Sequence, residues 1–165
     1  MIVEQIDLYH VKMPLLEPWV TAYGSQNDIE SLFVKIISDG ISGWGECAPS
    51  PLPLYNSEFS AGAFVVARDI IAPRLIGKKV ISGEFLHEIF SDLKGHQFAK
   101  SAFDGAWWDA HSQRHETPLW SMIGGTKEVV PVGADIPVLP STDELLNRVE
   151  TVSYTHLTLP TIVDV

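Results

Sequence analysis

The stretch SLFVKIISDGISGWGECA, Ser31–Ala48, decides the fold. Leu32, Val34 and Ile36 fall on one face of an extended chain, the period of a strand with one buried side. Asp39-Gly40 is a strong hairpin signal, because a two-residue turn between twisted strands needs positive φ at both positions. SGWGECA is the return strand. Upstream, Ile2–Met13 is rich in β-branched and aromatic residues and reads as a third strand. The first fifty residues therefore predict a three-stranded antiparallel meander. Between its first two strands, Pro14 and Pro18 bracket an expected loop, PLLEPWVTAYGSQND.

Past the meander, PSPLPLYNSEF (Pro49–Phe59) packs three prolines into five residues, which forbids regular structure and holds the chain extended. Helices are expected over Glu58–Ile71, capped by Ser57 and ended by Pro73, and over Ser82–Leu93, capped by Ser82 with Gly95 just beyond. A third is expected over Gln97–Arg114. There Ala99, Ala102, Phe103, Ala106, Trp107 and Ala110 recur at spacings of three and four, one apolar stripe of small residues that lets a neighbouring backbone come close. A short helical turn, PLWSMIGG, ends on glycines. EVVPVGADIPV (Glu128–Val138) then reads as a strand buried on both faces, as in a parallel sheet, and STDELLNRVE as a capped helix that breaks at Thr151. The order is meander, helices, then the start of a βα repeat: an α+β domain followed by something else.

Composition narrows the function. With 45 % apolar residues, five Trp and seven Phe, the 165-residue chain can build a core and does not read as disordered. A net charge of −10 argues against nucleic acid and anionic membranes, which reward clustered Lys and Arg. The single cysteine, Cys47, excludes an internal disulfide and a cysteine-based zinc site, and without a basic neighbour its thiol reads as buried and unactivated. The N-terminus lacks the pattern of a secretion signal, and no apolar run approaches the ~20 residues of a membrane span. A cytoplasmic protein is expected.

No motif closes a catalytic constellation. The IGG at Ile123–Gly125 reads as a helix end and not as a phosphate loop. His111 and His115 have the i, i+4 spacing of a metal pair, but no carboxylate completes it. His96 reads as structural. Asp104 and Asp109 lie about 140° apart on their helix and cannot share a metal or a proton; solvation or helix pairing is their expected job. Two segments stand out instead. EPWVTAYG and PLPLYNSEF place Trp19, Tyr23, Leu52, Leu54 and Tyr55 on expected loops, where large apolar groups need a reason. Either they pack on the domain's own helices or they close over something apolar.

These stretches, with KGHQFAKSAFDGAWWDA, TPLWSMIGG and VPVGADIPV, match as an ordered set. From about Ile2 to Val149 the chain resembles the N-terminal part of the enolase superfamily, muconate-lactonising subgroup, in its o-succinylbenzoate synthase / N-succinylamino acid racemase branch. The resemblance implies an enolase-like capping domain over residues 1–125 and the first βα unit of a truncated TIM barrel over 126–151. It implies that two cap loops, here Pro18–Gly24 and Pro49–Glu58, close the barrel mouth over a small carboxylate substrate. Trp19 and Tyr55 are then the leading substrate contacts, with Tyr23 and Leu52 next. The family usually has Phe where Trp19 stands, and Ser-Ile-Gly where this chain has Asp135-Ile136-Pro137, so Asp135 joins the candidates.

The family's chemistry, proton loss next to a carboxylate through an enediolate stabilised by Mg²⁺, uses barrel lysines and carboxylates. A barrel takes roughly 250 residues, and only 40 follow Gly125 (165 − 125). The resemblance thus implies a Mg²⁺-dependent, homo-oligomeric parent serving menaquinone biosynthesis or amino-acid racemisation, and an inactive chain that binds no metal itself. A dipeptide epimerase, a muconate cycloisomerase and a non-catalytic cap-like binding module are the alternatives. Val152–Thr161 resembles translated transposase-adapter DNA, so 152–165 is read as non-native.

Overall fold

Alternation and turn chemistry produce the expected meander, but its outer strand is longer than the sequence suggests. In the computed structural model, which describes residues 1–21, 24–127, 129–130, 133, 135–136 and 139–156, β1 (Gln5–Thr21), β2 (Gly24–Ser38) and β3 (Ile41–Cys47) form an antiparallel sheet in the order β1-β2-β3. Pro14 and Pro18 lie inside β1 and not in a loop. An outer strand tolerates them, because half of its N–H groups face away from any partner. Before β1, Val3 pairs elsewhere: it donates to the Lys78 carbonyl at 3.0 Å and accepts from Gly77 N–H at 2.8 Å.

Two compact units divide the chain: Met1–Pro18 with Asn27–Thr126, and Trp19–Gln26 with Lys127–Val165. In the first, β2 and β3 pair with Val34 opposite Gly45 and Ile36 opposite Gly43. The turn between them has φ of 50° at Asp39 and 76° at Gly40, the conformation Asp-Gly favours. Leu32, Val34 and Ile36 are fully buried.

Above them runs α4 (Gln97–Arg114), over the residues its stripe predicts. Ala102, Ala106 and Ala110 meet Gly43 and Gly45: a Cβ on Gly45 would land on the Ala102 carbonyl oxygen and within 2.6 Å of the Ala106 nitrogen. Helix and strand thus touch backbone to backbone. The edge of β3 is satisfied by the same helix, since Trp44 N–H donates to Asp109 Oδ2 at 2.7 Å and Gln113 Nε2 to the Ser42 carbonyl at 3.0 Å. Arg114 pairs with Asp39 at 2.6 Å and ties the hairpin turn to the helix end.

The other helices differ from expectation at their ends. α1 (Ser60–Val66) begins two residues late, with extended Phe59 and not Ser57 at its N-cap. A π-helical turn (Ala67–Ile71) joins it to α2 (Ala72–Leu75), which holds Pro73 in its first turn. A widened turn accommodates a proline, which lacks an N–H and presses on the carbonyl four residues back. α3 (Gly83–Ile89) is capped by Ser82, whose hydroxyl accepts from Phe85 N–H at 3.2 Å. It stops short of Leu93 because Ser91 and Leu93 donate three residues back, to Glu88 and Phe90, tightening the chain out of the α-helix. α5 (Leu119–Met122) ends at Gly124, φ 87°.

In the second unit, α6 (Thr142–His156) carries the expected cap. Glu144 N–H donates to Ser141 Oγ at 3.2 Å. The helix does not break at Thr151, since β-branched residues cost a formed helix only fractions of a kcal/mol each, about 0.5. Of the expected strand Glu128–Val138, the described residues carry no strand, and Val129 and Val130 are 82 % and 65 % exposed. A parallel strand needs neighbours to pair with, and none is formed among the described residues. The rest of that segment lies outside the described residues.

Candidate functional site

Prolines 51 and 53 keep residues 50–59 out of helix and strand, yet the segment has fixed ends. Ser60 N–H donates to the Ser50 carbonyl at 3.2 Å and closes the loop. Leu54 N–H donates to the Leu52 carbonyl at 2.8 Å, a tight turn centred on Pro53, whose ring presets the required φ. Asn56 Oδ1 accepts from Glu58 N–H at 2.8 Å, an Asx turn. The Ser60 hydroxyl donates to Glu30 Oε2 at 2.5 Å, and His10 Nε2 lies 3.6 Å from the same oxygen.

Glu58 makes the strongest tether. α4 starts at His96, in the left-handed region with φ 56° and ψ 42°, and has no side-chain cap of its own. Its first N–H groups instead find the Glu58 carboxylate: Gln97 donates to Oε1 at 2.6 Å and Phe98 to Oε2 at 3.0 Å. Orphan N–H groups and the helix dipole both favour a carboxylate there. The result is a surface loop pinned at its base with an apolar tip, Leu52, Leu54 and Tyr55 being 60 %, 67 % and 74 % exposed. Such a tip offers no carboxylate, imidazole or amine, and its one polar group is the Tyr55 hydroxyl. It can exclude water and grip an apolar or extended group.

Leu52 and Tyr55 share this loop. Trp19, 43 % exposed near the end of β1, and exposed Asp135 belong to the second unit. Tyr23 lies outside the described residues. Glu58 escaped the sequence reading as an anchor. The available signal was the uncapped start of α4: Gly95-His96 offers no side-chain acceptor of its own in that role, so one had to come from elsewhere.

Cys47 and the His111–His115 pair are structural in their surroundings. The Cys47 thiol is pushed up to about 12, by burial first and then by the Glu58 and Glu46 charges, so it is no nucleophile. His111 and His115 sit edge to face with ring centroids 4.5 Å apart, and His111 stacks on Trp107 at 4.6 Å. Burial, then the charge of His115, holds His111 below the ordinary imidazole value. Among the described residues no group of three or more His, Cys, Asp or Glu is placed to hold a metal ion, and no helix is long and apolar enough to cross a membrane.

A meander whose glycine-bearing third strand lies under an alanine-striped helix, with a pinned apolar loop beside it, is the architecture of a capping domain. Residues 4–124 match the mandelate racemase/muconate lactonizing enzyme N-terminal domain, and the chain belongs to that family, within the enolase superfamily. It is 32 % identical over 149 residues to an o-succinylbenzoate synthase from Geobacillus kaustophilus, covering 90 % of this chain and 40 % of that protein. It is 32 % identical over 144 residues to an N-succinylamino acid racemase from Amycolatopsis, covering 87 % and 39 %. The crystal structure of an N-succinyl Arg/Lys racemase from Bacillus cereus superposes with a TM-score of 0.83 at 28 % identity, over 92 % of this chain and 42 % of that one. The chain thus spans about 40 % of the length of the curated relatives it matches.

Proposed function

We propose that this chain is the substrate-capping part of a longer enzyme that removes the proton next to a carboxylate. That enzyme then either eliminates water to give o-succinylbenzoate or reprotonates to racemise an N-acylamino acid. The observation that carries the reading is the loop 50–59, whose base is bonded to α4 and whose exposed tip presents Leu52, Leu54 and Tyr55. Loop closure of this kind expels water and grips the part of a substrate remote from the reacting carbon. Trp19, Tyr23 and Asp135 are proposed as further substrate contacts, on the family resemblance.

In such an enzyme Mg²⁺ supplies electrostatic stabilisation for the charge that develops as the proton leaves. Among the described residues no group of three or more His, Cys, Asp or Glu is placed to hold that ion. What its own residues do is cover, orient and select a small carboxylate substrate. The proposed enzyme works in the cytoplasm as a homo-oligomer, and the 165-residue chain by itself is inactive.

Recovery of the uninterrupted gene tests the reading. Its product should show synthase or racemase activity that chelation abolishes and Mg²⁺ restores, while the 165-residue chain shows neither. A gene product of this length with full activity, or a longer product without either activity, would refute it.

A further inference from the structure

The loop's apolar tip would be of little use if its stem swung freely, and one side chain prevents that. We infer that Glu58 is a positioning residue: by clamping two backbone N–H groups at the start of α4, it fixes the stem of loop 50–59 and so sets where Tyr55 and Leu52 are presented. This rests on the reading of that loop as a substrate cover.

Three observations converge. Both Glu58 oxygens are engaged, on consecutive N–H groups at 2.6 and 3.0 Å, across a sequence separation of about forty residues. The peptide before the clamp is also held, since Glu58 N–H is taken by Asn56 Oδ1 at 2.8 Å. Two residues beyond it, Ser60 is bonded both to Ser50 and to Glu30. From 56 to 60 the chain is therefore fastened to α4, β2 and the opposite stem. The left-handed His96 turns the start of α4 so that no neighbouring side chain caps it, which leaves the site to Glu58.

The test needs no substrate, so its failure and failure of the functional reading are distinguishable. The full 165-residue chain is labelled with 3-fluorotyrosine; it has four tyrosines, and Tyr55→Phe assigns the Tyr55 fluorine resonance. In Glu58→Ala that resonance should shift to the unstructured value and narrow. Exchange of the Gln97 and Phe98 amides should speed up at least tenfold, with loss of protection over 54–58, while the Ala102–Ala110 amides stay protected. Glu58→Gln keeps one oxygen acceptor and should rescue one of the two amides and part of the Tyr55 shift. It also serves as the test if Glu58→Ala does not fold. An unchanged Tyr55 resonance in either variant would overturn the inference. So would equal loss of protection along all of α4, which would make Glu58 a helix cap and nothing more.

Discussion

Gly45→Ala adds one methyl group to β3 and is expected to damage the first unit more than most larger changes. The added Cβ would overlap the Ala102 carbonyl oxygen and lie 2.6 Å from the Ala106 nitrogen and 2.9 Å from the Ala102 carbonyl carbon, whereas ordinary Cβ contacts fall at 3.4–4 Å. Every one of these atoms is α4 backbone, so no side chain can swing aside. Restoring contact at 3.4 Å requires α4 to back away by about 0.8 Å from the nitrogen alone (3.4 − 2.6), and further from the oxygen. That retreat loosens the packing around Phe103, Ala106 and Trp107, all buried in the core. Overpacking typically costs about 1–3 kcal/mol, and with no flexible atom to yield the upper end applies, about 3 kcal/mol or more. In a domain of this size that lowers Tm by roughly 10–15 °C. Gly105→Ala is the control from the other side of the interface. Its Cβ would meet Gly45 Cα at an ordinary 3.6 Å, and alanine favours the helix by up to about 1 kcal/mol. Thermal melts followed by circular dichroism, with urea titrations alongside, measure both. A loss under about 1 kcal/mol for Gly45→Ala, or a larger loss for Gly105→Ala, would refute the backbone-contact argument.

Three further outcomes follow from the first unit. With its pKa moved from 9.0 to about 12, the Cys47 thiolate is roughly a thousandfold scarcer than in an ordinary thiol; at about pH 8 the native chain should resist a thiol reagent that labels it stoichiometrically in denaturant. His111 titrates below its unfolded value, so folding disfavours its charged form; stability should be full above about pH 6.5 and fall as pH drops through 6.5 toward the lower folded pKa. Calorimetry from about pH 8 to 5 should show that decline, and it should flatten in His111→Phe; a steeper decline in the variant would contradict the assignment. Asp109→Ala strips the acceptor from Trp44 N–H and should cost about 1 kcal/mol, most of it recovered by Asp109→Asn, which keeps a carbonyl oxygen at the same place.

The parts of this fold that sequence made legible are those governed by local rules. Alternation placed Leu32, Val34 and Ile36 in the core, Asp39-Gly40 turned where its conformational preference demands, and the alanine stripe drew α4 to its true ends. What escaped depends on partners far away in the chain. Pro14 and Pro18 read as loop because a proline carries no sign of whether its strand lies at a sheet edge. Pro73 read as a stop because a π-helical turn, which absorbs it, has no pattern of its own. The candidate site divides in the same way. Exposed Leu52 and Tyr55 were legible as apolar residues on a proline-locked loop, whereas the tether from Glu58 to Gln97 and Phe98 spans about forty residues and shows only in three dimensions.

The central claim is that the loop tip grips substrate. It is tested most directly by the steady-state kinetics of Tyr55→Ala in the intact enzyme, with the thermal melt of the variant measured alongside. The account predicts a fall in kcat/KM of at least tenfold, about 1.4 kcal/mol of binding lost, with Tm within a few degrees of the parent because Tyr55 is 74 % exposed and carries little of the fold. A kcat/KM within twofold of the parent would contradict it.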